Sequence, residues 1–478
     1  MSQHDFNIAN QGFPATRADL NNALAALASN SSGTSEPSTT YAGQFWNDTT
    51  NNLLKFRNDA NDGWITFAKL DQATNEWEIR SSVFQAVDSA GIAFKTDDGT
   101  TRATLGDDGN WVFTGGATFS GSLASSNISS VGALSNRNLI INGAMQVAQR
   151  GTSVAGVTSG GYRTCDRMEV NVSNLGTYTV TQESDAPEGF VNSLKINCTV
   201  ADASPASSDY VFFAHKLEGQ DLQHLKKGTS NALPVTLSFW VKSNMTGTYQ
   251  FNLRDNDNVR YISASYTIDV SGTWEYKTIT LVGDTTGAPD NDANESLKLE
   301  WWLDSGSDFD SGALNTSWAA ANNVNRNAAT TVNIGDSTSN YFQITGVQLE
   351  VGDTATPFEH RSYGDELQRC QRYFQSFGNG PYTCMCYGSA VTAGVGNYLL
   401  NNIVPMRAIP SVSYNNIQHS DGANAYELTS LVIATVQSDE NNTVLSGGQG
   451  GNSLTQFRPI RLEASNNAAG RIKLDAEL

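Results

Sequence analysis

Cysteine is scarce: five residues in 478, an odd number with no regular spacing. That excludes a disulfide framework. Charge is scarce too, at 16% of residues against roughly 25% in ordinary globular domains. Basic residues are the scarcer sign, 29 Lys and Arg against 48 Asp and Glu, for a net charge of −19. Such a field repels nucleic acid and no Lys/Arg stripe offsets it, so no nucleic-acid partner is expected. The longest apolar stretch, Leu431 to Val436, is only strand length, so no membrane insertion is expected. The polar start Met1-Ser2-Gln3-His4-Asp5 lacks the basic and apolar segments of a signal peptide. Folding and assembly in a reducing cytoplasm are the expectation.

What fills the space is Asn, Ser, Thr and Gly, with 42 glycines. This is turn and strand-edge chemistry, and it predicts a mostly β chain of several modules. Residues 16–28 read as a short helix with Thr16 and Asp19 at capping-box spacing and Leu20, Leu24 and Leu27 on one face. An isolated helix of this length is marginal in water, so that face needs a partner. Ser29 to Thr40 reads as a linker. Strands are expected at Gln44-Phe45-Trp46, Leu53 to Arg57 and Trp64 to Leu70, giving a small meander that closes a first region, 1–70.

Residues 71–136 read as a shaft and linker. Asp97-Asp98-Gly99 and Asp107-Asp108-Gly109 are hairpin signals ten residues apart. Around them Ile92, Phe94, Leu105, Trp111 and Phe113 fall on one face of three short strands. That is too little apolar area to stabilise a free-standing domain, so the face is expected to bury against other chains. Phe119, Leu123, Ile128, Val131 and Leu134 would continue the interchain shaft, a flexible linker being the alternative.

Residues 137–360 have the rhythm of a β-sandwich, with strands expected over Leu237 to Val241, Thr273 to Leu281, Leu297 to Asp304 and Tyr341 to Leu349. Ser362 and Asp365 form a second capping box, opening a helical linker, 361–375, with Leu367, Cys370 and Phe374 on one stripe. Residues 376–478 return to short strands and read as a separate C-terminal β tip domain.

Little of this carries chemistry. Cys384 and Cys386, two apart, would share one face of a strand, yet no histidine sits beside them at ligand spacing. They read as reduced thiols. Asp255, Asp257 and Asn258, with Asp290, Asp292, Asn294 and Glu295, supply the oxygens calcium favours. Both clusters lack the EF-hand's glycine and glutamate, and Asx turns are the expected reading. There is no nucleophile elbow and no phosphate loop. No cofactor, metal site or catalytic residue is expected.

Scattered blocks resemble bacteriophage tail fibre proteins, especially those of short-tailed phages. Phe6-Asn7-Ile8-Ala9-Asn10-Gln11, Arg17 to Asn21, Phe45 to Asp48 and Leu54 to Asn58 are similar to the fibre's tail-attachment end. Arg137 to Gly143 and Gly346 to Gly352 resemble the opening and closing strands of a jelly-roll, carbohydrate-binding-like module. Glu366 to Phe374 and Met406 to Pro410 resemble the start of a tip domain. The resemblance implies a virion protein: a homotrimeric fibre subunit whose N-terminus docks on a phage tail adaptor or tube protein through Leu20, Leu24, Leu27, Trp46 and Trp64. Its distal domains would meet host cell-surface polysaccharide or lipopolysaccharide. The rivals are a polysaccharide-cleaving tailspike and a spacer or collar element.

Sugar rings stack on exposed aromatic faces. Period two puts Trp301 on the core face of its strand and Trp302 outward, a candidate platform unless a neighbouring domain or chain covers it. In the tip the candidates are Tyr382, Tyr387, Tyr398, Tyr414 and Tyr426. Alternating strand tyrosines are also commonly half-buried structure.

Overall fold

A computed structural model describes residues 3–71, 76–79, 89–107, 109–114, 136–451 and 453–478. It is mostly β, in two compact units, 1–126 and 127–478.

In the first unit the helix α1 (Phe13–Ala28) starts three residues before the expected cap. Pro14 presets the first turn, Gly12 is the N-cap, and Thr16 Oγ1 reaches back to Gln11 O at 2.9 Å. Asp19 is no capping residue either: its carboxylate accepts from His4 and from Ala9 N. The helix buries Ala23 and Ala26, while Leu20, Leu24 and Leu27 stay between 49% and 63% exposed.

Strands β1 (Phe45–Asp48), β2 (Leu53–Arg57), β3 (Trp64–Asp71) and β4 (Glu76–Ile79) form an antiparallel meander. The expected linker is pinned onto it. Gly33 bridges Asp48, and Glu36 meets both Arg57 and the Trp64 indole, the latter at 2.9 Å. Trp46 is buried under Lys55, whose ammonium sits 4.3 Å from its ring. Trp64 is half-buried at 5.3 Å from it.

Strands β5 (Ile92–Lys95), β6 (Thr101–Leu105) and β7 (Trp111–Phe113) pair as two hairpins. The register sets Ile92, Leu105 and Trp111 in one row and Phe94, Ala103 and Phe113 in the next, as the alternation predicts. Trp111 stacks on Phe94 at 5.4 Å and lies 6.0 Å from Phe113. Within this chain the three rings remain 46–50% exposed. The expected shaft residues Phe119 to Leu134 lie outside the described residues.

Residues 137–143 form a loop where a strand was expected. They lie beside the later strand Tyr341–Val351, Leu139 N donating to Leu349 O and Val347 N to Gly143 O. Asn142, buried at φ 62, replaces a ladder with its own amide, bonding Val147 and Asp166.

The sandwich follows: β8 (Ser153–Tyr162), β9 (Glu169–Glu183), β10 (Ser193–Val200), β11 (Tyr210–Glu218), β12 (Val235–Ser243), β13 (Gly247–Asp255), β14 (Arg260–Ile268), β15 (Glu275–Leu281), β16 (Glu295–Ser305), β17 (Ala319–Ala320) and β18 (Tyr341–Val351). Long β9 joins its two layers. Residues 169–173 pair with β11, residues 177–183 pair with β10, and the chain bends between them at Asn174 and Gly176, both at positive φ. A side chain at Gly176 would also strike Val200 O. One layer runs β15-β12-β18-β10-β9, the other β9-β11-β16-β13-β14. Their facing residues interlock, Phe239 with Trp301 at 6.1 Å and Phe213 with Phe342 at 5.8 Å.

Helix α2 (Ser307–Asp310) lies in the long loop after β16. Helix α3 (Tyr363–Gln371) has the expected cap, Asp365 N donating to Ser362 Oγ at 3.2 Å. It is no free linker, since its Glu366 is buried and accepts from Asn142 N. Phe374 falls outside it, in β19 (Phe374–Phe377).

The tip comprises β20 (Cys384–Ala390), β21 (Val395–Asn401), β22 (Ser411–Asn415), β23 (Ile417–Ser420), β24 (Ala425–Ile433), β25 (Asn442–Gln449), β26 (Pro459–Ala464) and β27 (Arg471–Asp475). A closed barrel runs β20-β21-β25-β24-β23-β26, and β19-β27-β22 form a small sheet. The tip has its own core, including Tyr398, Leu445, Leu462, Ile472 and Leu474. It belongs to the same compact unit as the sandwich. Arg372 grips Glu218 with two bonds of 2.7 Å, and Glu477 pairs with Arg150 and Arg167.

Candidate functional site

The tip barrel carries a hollow of about 150 Å³ on its outer wall, lined by Tyr387, Ser420, Asp421, Gly422, Pro459 and Arg461 with Ile460 behind them. Strand pairing builds it. Tyr387 sits opposite Arg461 across β20 and β26, and Arg461 sits opposite Ser420 across β26 and β23. Leu462 and Ile460 point into the barrel core, so their neighbour Arg461 must point out. The Arg461 guanidinium is oriented by Glu463, buried two residues along the strand, whose other oxygen accepts from Gln418 Nε2 at 2.9 Å.

The rim is a tight turn. Asp421 Oδ1 accepts from Ala423 N at 3.0 Å and Asn424 N at 2.8 Å, and Arg458 stands 3.5 Å from its other oxygen. The Asn424 and Ala423 amides hold this carboxyl below its ordinary range. The Tyr387 ring is 72% exposed at the mouth. An aromatic face beside an oriented guanidinium, a fixed carboxylate and a hydroxyl is the equipment that recognises a sugar ring with its hydroxyls.

Of the aromatic residues picked from sequence for sugar stacking, Tyr387 lines this hollow and the others do not. Trp302 is corrected outright: it faces away from the sandwich core as expected but is fully buried. The loop after β16 covers it with Phe309 and Arg326. Its ring stacks on Phe212 at 4.6 Å, the Arg326 guanidinium lies 4.7 Å away, and its indole donates to Glu300 at 3.0 Å. Tyr414 and Tyr426 are half-buried against the tip core. Tyr382 is exposed, in a turn at φ 58. Tyr387 is the one that reaches the hollow, while Tyr398 is buried with its hydroxyl on His419 Nδ1. Arg461 carried no local signal, because its partners lie about 40 and 75 residues away and only the ladder brings them together.

The other candidates resolve more simply. A bulge in β20 separates Cys384, exposed, from Cys386, buried, so the two do not share a face. Burial pushes the Cys386 thiol up to about 12. Asp257 accepts from Asp290 N and Ser296 Oγ, and Asp292 caps Asn294. Among the described residues no three His, Cys, Asp or Glu side chains stand where they could hold a metal. In the first unit an apolar hollow of about 440 Å³, lined by Phe6, Ala26, Leu27, Tyr41 and Phe45, opens beside the exposed leucines of α1.

No protein-family model matches this chain, and no curated protein does. Among solved structures, the enzymatically active domain of tailspike protein 4 from bacteriophage CBA120 is similar over 45% of this chain at 12% identity and a TM-score of 0.24. The match spans 21% of the tailspike chain. A putative sugar binding protein from Bacteroides thetaiotaomicron matches at 12% identity and a TM-score of 0.26, over 45% of this chain and 100% of its own. A family 11 carbohydrate-binding module from Clostridium thermocellum matches at 10% identity and 0.22, over 43% and 98%. At scores this low, function is read from the chain's own residues.

Proposed function

We propose that this chain is the subunit of a homotrimeric bacteriophage tail fibre, part of the virion, that attaches through its N-terminal region and binds host surface glycan at its distal end. One observation carries the reading. The first unit leaves many of its large apolar side chains outside, among them Leu20, Leu24 and Leu27 on α1 and Phe94, Trp111 and Phe113 on the β5–β7 sheet. Isolated exposed leucines are ordinary, but an ordered aromatic stack left half in water is the inner face of something larger. The β5–β7 patch suits identical neighbours in a trimer, and the α1 patch with its adjoining hollow suits the tail.

Binding at the distal end rests on the tip hollow, where Tyr387 offers a stacking face and Arg461 and Asp421 offer fixed polar contacts. Three copies per fibre multiply a weak contact into a strong one. The reading is adhesion without cleavage. The test is competition: purified protein, trimeric by light scattering, is added to host cells before phage. Blocked adsorption supports the reading, and a soluble monomer that leaves adsorption unchanged overturns it. Release of reducing sugar from host polysaccharide would replace adhesion with depolymerisation.

A further inference from the structure

At one end of the sandwich, three connections bring a lysine and two aspartates together out of water. Lys227 lies in the crossover from β11 to β12, Asp255 ends β13, and Asp284 follows β15. All three side chains are buried. Lys227 Nζ touches Asp255 Oδ2, lies 3.3 Å from Asp284 Oδ2 and donates to Gly287 O at 2.5 Å. The Trp318 ring covers the ammonium at 5.1 Å, itself fixed by its indole N–H on Val282 O. Both oxygens of Asp255 are held by Asn258, Oδ1 by the backbone N–H at 3.0 Å and Oδ2 by the side-chain amide at 2.9 Å. Asp284 is gripped by Arg260 through Nε at 3.0 Å and Nη2 at 3.3 Å.

Read as ions alone, this is a costly arrangement, because each buried charge gives up its hydration. Read as reactants, it is well placed. The amine and the carboxyl are held in contact, which replaces a bimolecular encounter by an intramolecular one. Two N–H donors polarise the carboxyl, the role of an oxyanion hole. A second carboxylate stands within reach of the nitrogen to move protons. The three side chains are at most 4% exposed, which limits the water that would favour the reverse reaction.

We propose that Lys227 and Asp255 condense into an intramolecular isopeptide bond, with Asp284 as the proton shuttle. Asp284 takes one proton from the Lys227 ammonium, and the freed amine attacks Cγ of Asp255. The new C–N bond forms, the bond from Cγ to Oδ2 breaks, and that oxygen leaves as water. It takes one proton back from Asp284 and one from the nitrogen. Ammonium and carboxylate become a neutral amide plus water, with no other reactant. Asp255 Oδ1 becomes the amide carbonyl, still bonded to Asn258 N–H. The charges that remain, Arg260 and Asp284, are a matched pair. The product ties the β11–β12 crossover, which joins the two layers, to the end of β13.

Intact-mass spectrometry of the purified full chain decides it. The expected mass is lighter than that of the sequence by one water, and trypsin should release one branched peptide joining Lys227 to Asp255, uncut after Lys227. Asp284→Asn, checked for its fold by circular dichroism, should restore the full mass and the two linear peptides. A folded wild-type chain of full sequence mass with linear peptides at both positions overturns the proposal, leaving a buried ion cluster only. A folded Asp284→Asn chain that still carries the branched peptide overturns the shuttle.

Discussion

Trp301 and Trp302 are sealed inside the second unit, whereas Trp77 and Trp111 of the first unit stand half or more in solvent. The contrast follows from size. A sandwich of two layers encloses a core from both sides, and even its outer face at Trp302 is roofed by a loop that satisfies Glu300 through Arg326. A patch of three strands, four, five and three residues long, has one apolar face, which no described element of its own chain covers. The same residue types therefore mean opposite things. In the sandwich Trp301 and Trp302 serve as packing, whereas Trp111 keeps half of its surface uncovered within its own chain.

The comparison can be broken most severely in the sandwich. Trp301→Ala should cost about 3–5 kcal/mol, seen as a lower denaturant midpoint for the second unit with the first unit's behaviour unchanged. A loss below 1 kcal/mol would mean that the two layers do not interlock as described. Next, Trp111→Ser should leave that midpoint where it is yet weaken assembly, since burying such a ring is worth roughly 1.5–3 kcal/mol per chain. Light scattering against concentration would show dissociation, and an unchanged assembly would deny that the stack is an interface. Smaller again, Tyr387→Ala should weaken cell binding by about 1 kcal/mol per subunit with circular dichroism unchanged. Tyr414→Ala and Tyr426→Ala should act through tip stability instead, since both rings pack on its core.

The smallest effect is a pair of opposed pH dependences inside the large unit. Burial lowers His419 in the tip from 6.5 to about 4, so it stays neutral where the unfolded chain takes a proton. Its contribution is present above pH 6.5 and is lost as the pH falls toward 4. Burial raises Asp304 in the sandwich from 3.8 to about 7, so its contribution is present below 3.8 and is lost as the pH rises through 7. Melting curves from pH 4 to 7 should show it. Relative to His419→Gln, the wild type loses stability on acidification, and relative to Asp304→Asn it gains. Parallel curves for all three would place neither group in a dry site.

Local chemistry alone was enough for the mostly β character, the strand at Leu53–Arg57, most of the strand that begins at Tyr341, the Ser362 cap, and the shared face of Ile92, Phe94, Leu105, Trp111 and Phe113. Turn residues, capping spacing and period-two alternation act over a few residues, and sequence states them directly. What covers a face is a different question. Alternation correctly turned Trp302 away from the sandwich core, yet only the fold brought Phe309 and Arg326 over it. The helix start moved because Pro14 outranked a capping box that Asp19 gave up to His4 and Ala9. The tip hollow and the Lys227–Asp255–Asp284 cluster were illegible for the same reason. Their members are dozens of residues apart, and strand pairing and loop packing, which no local pattern encodes, set them side by side.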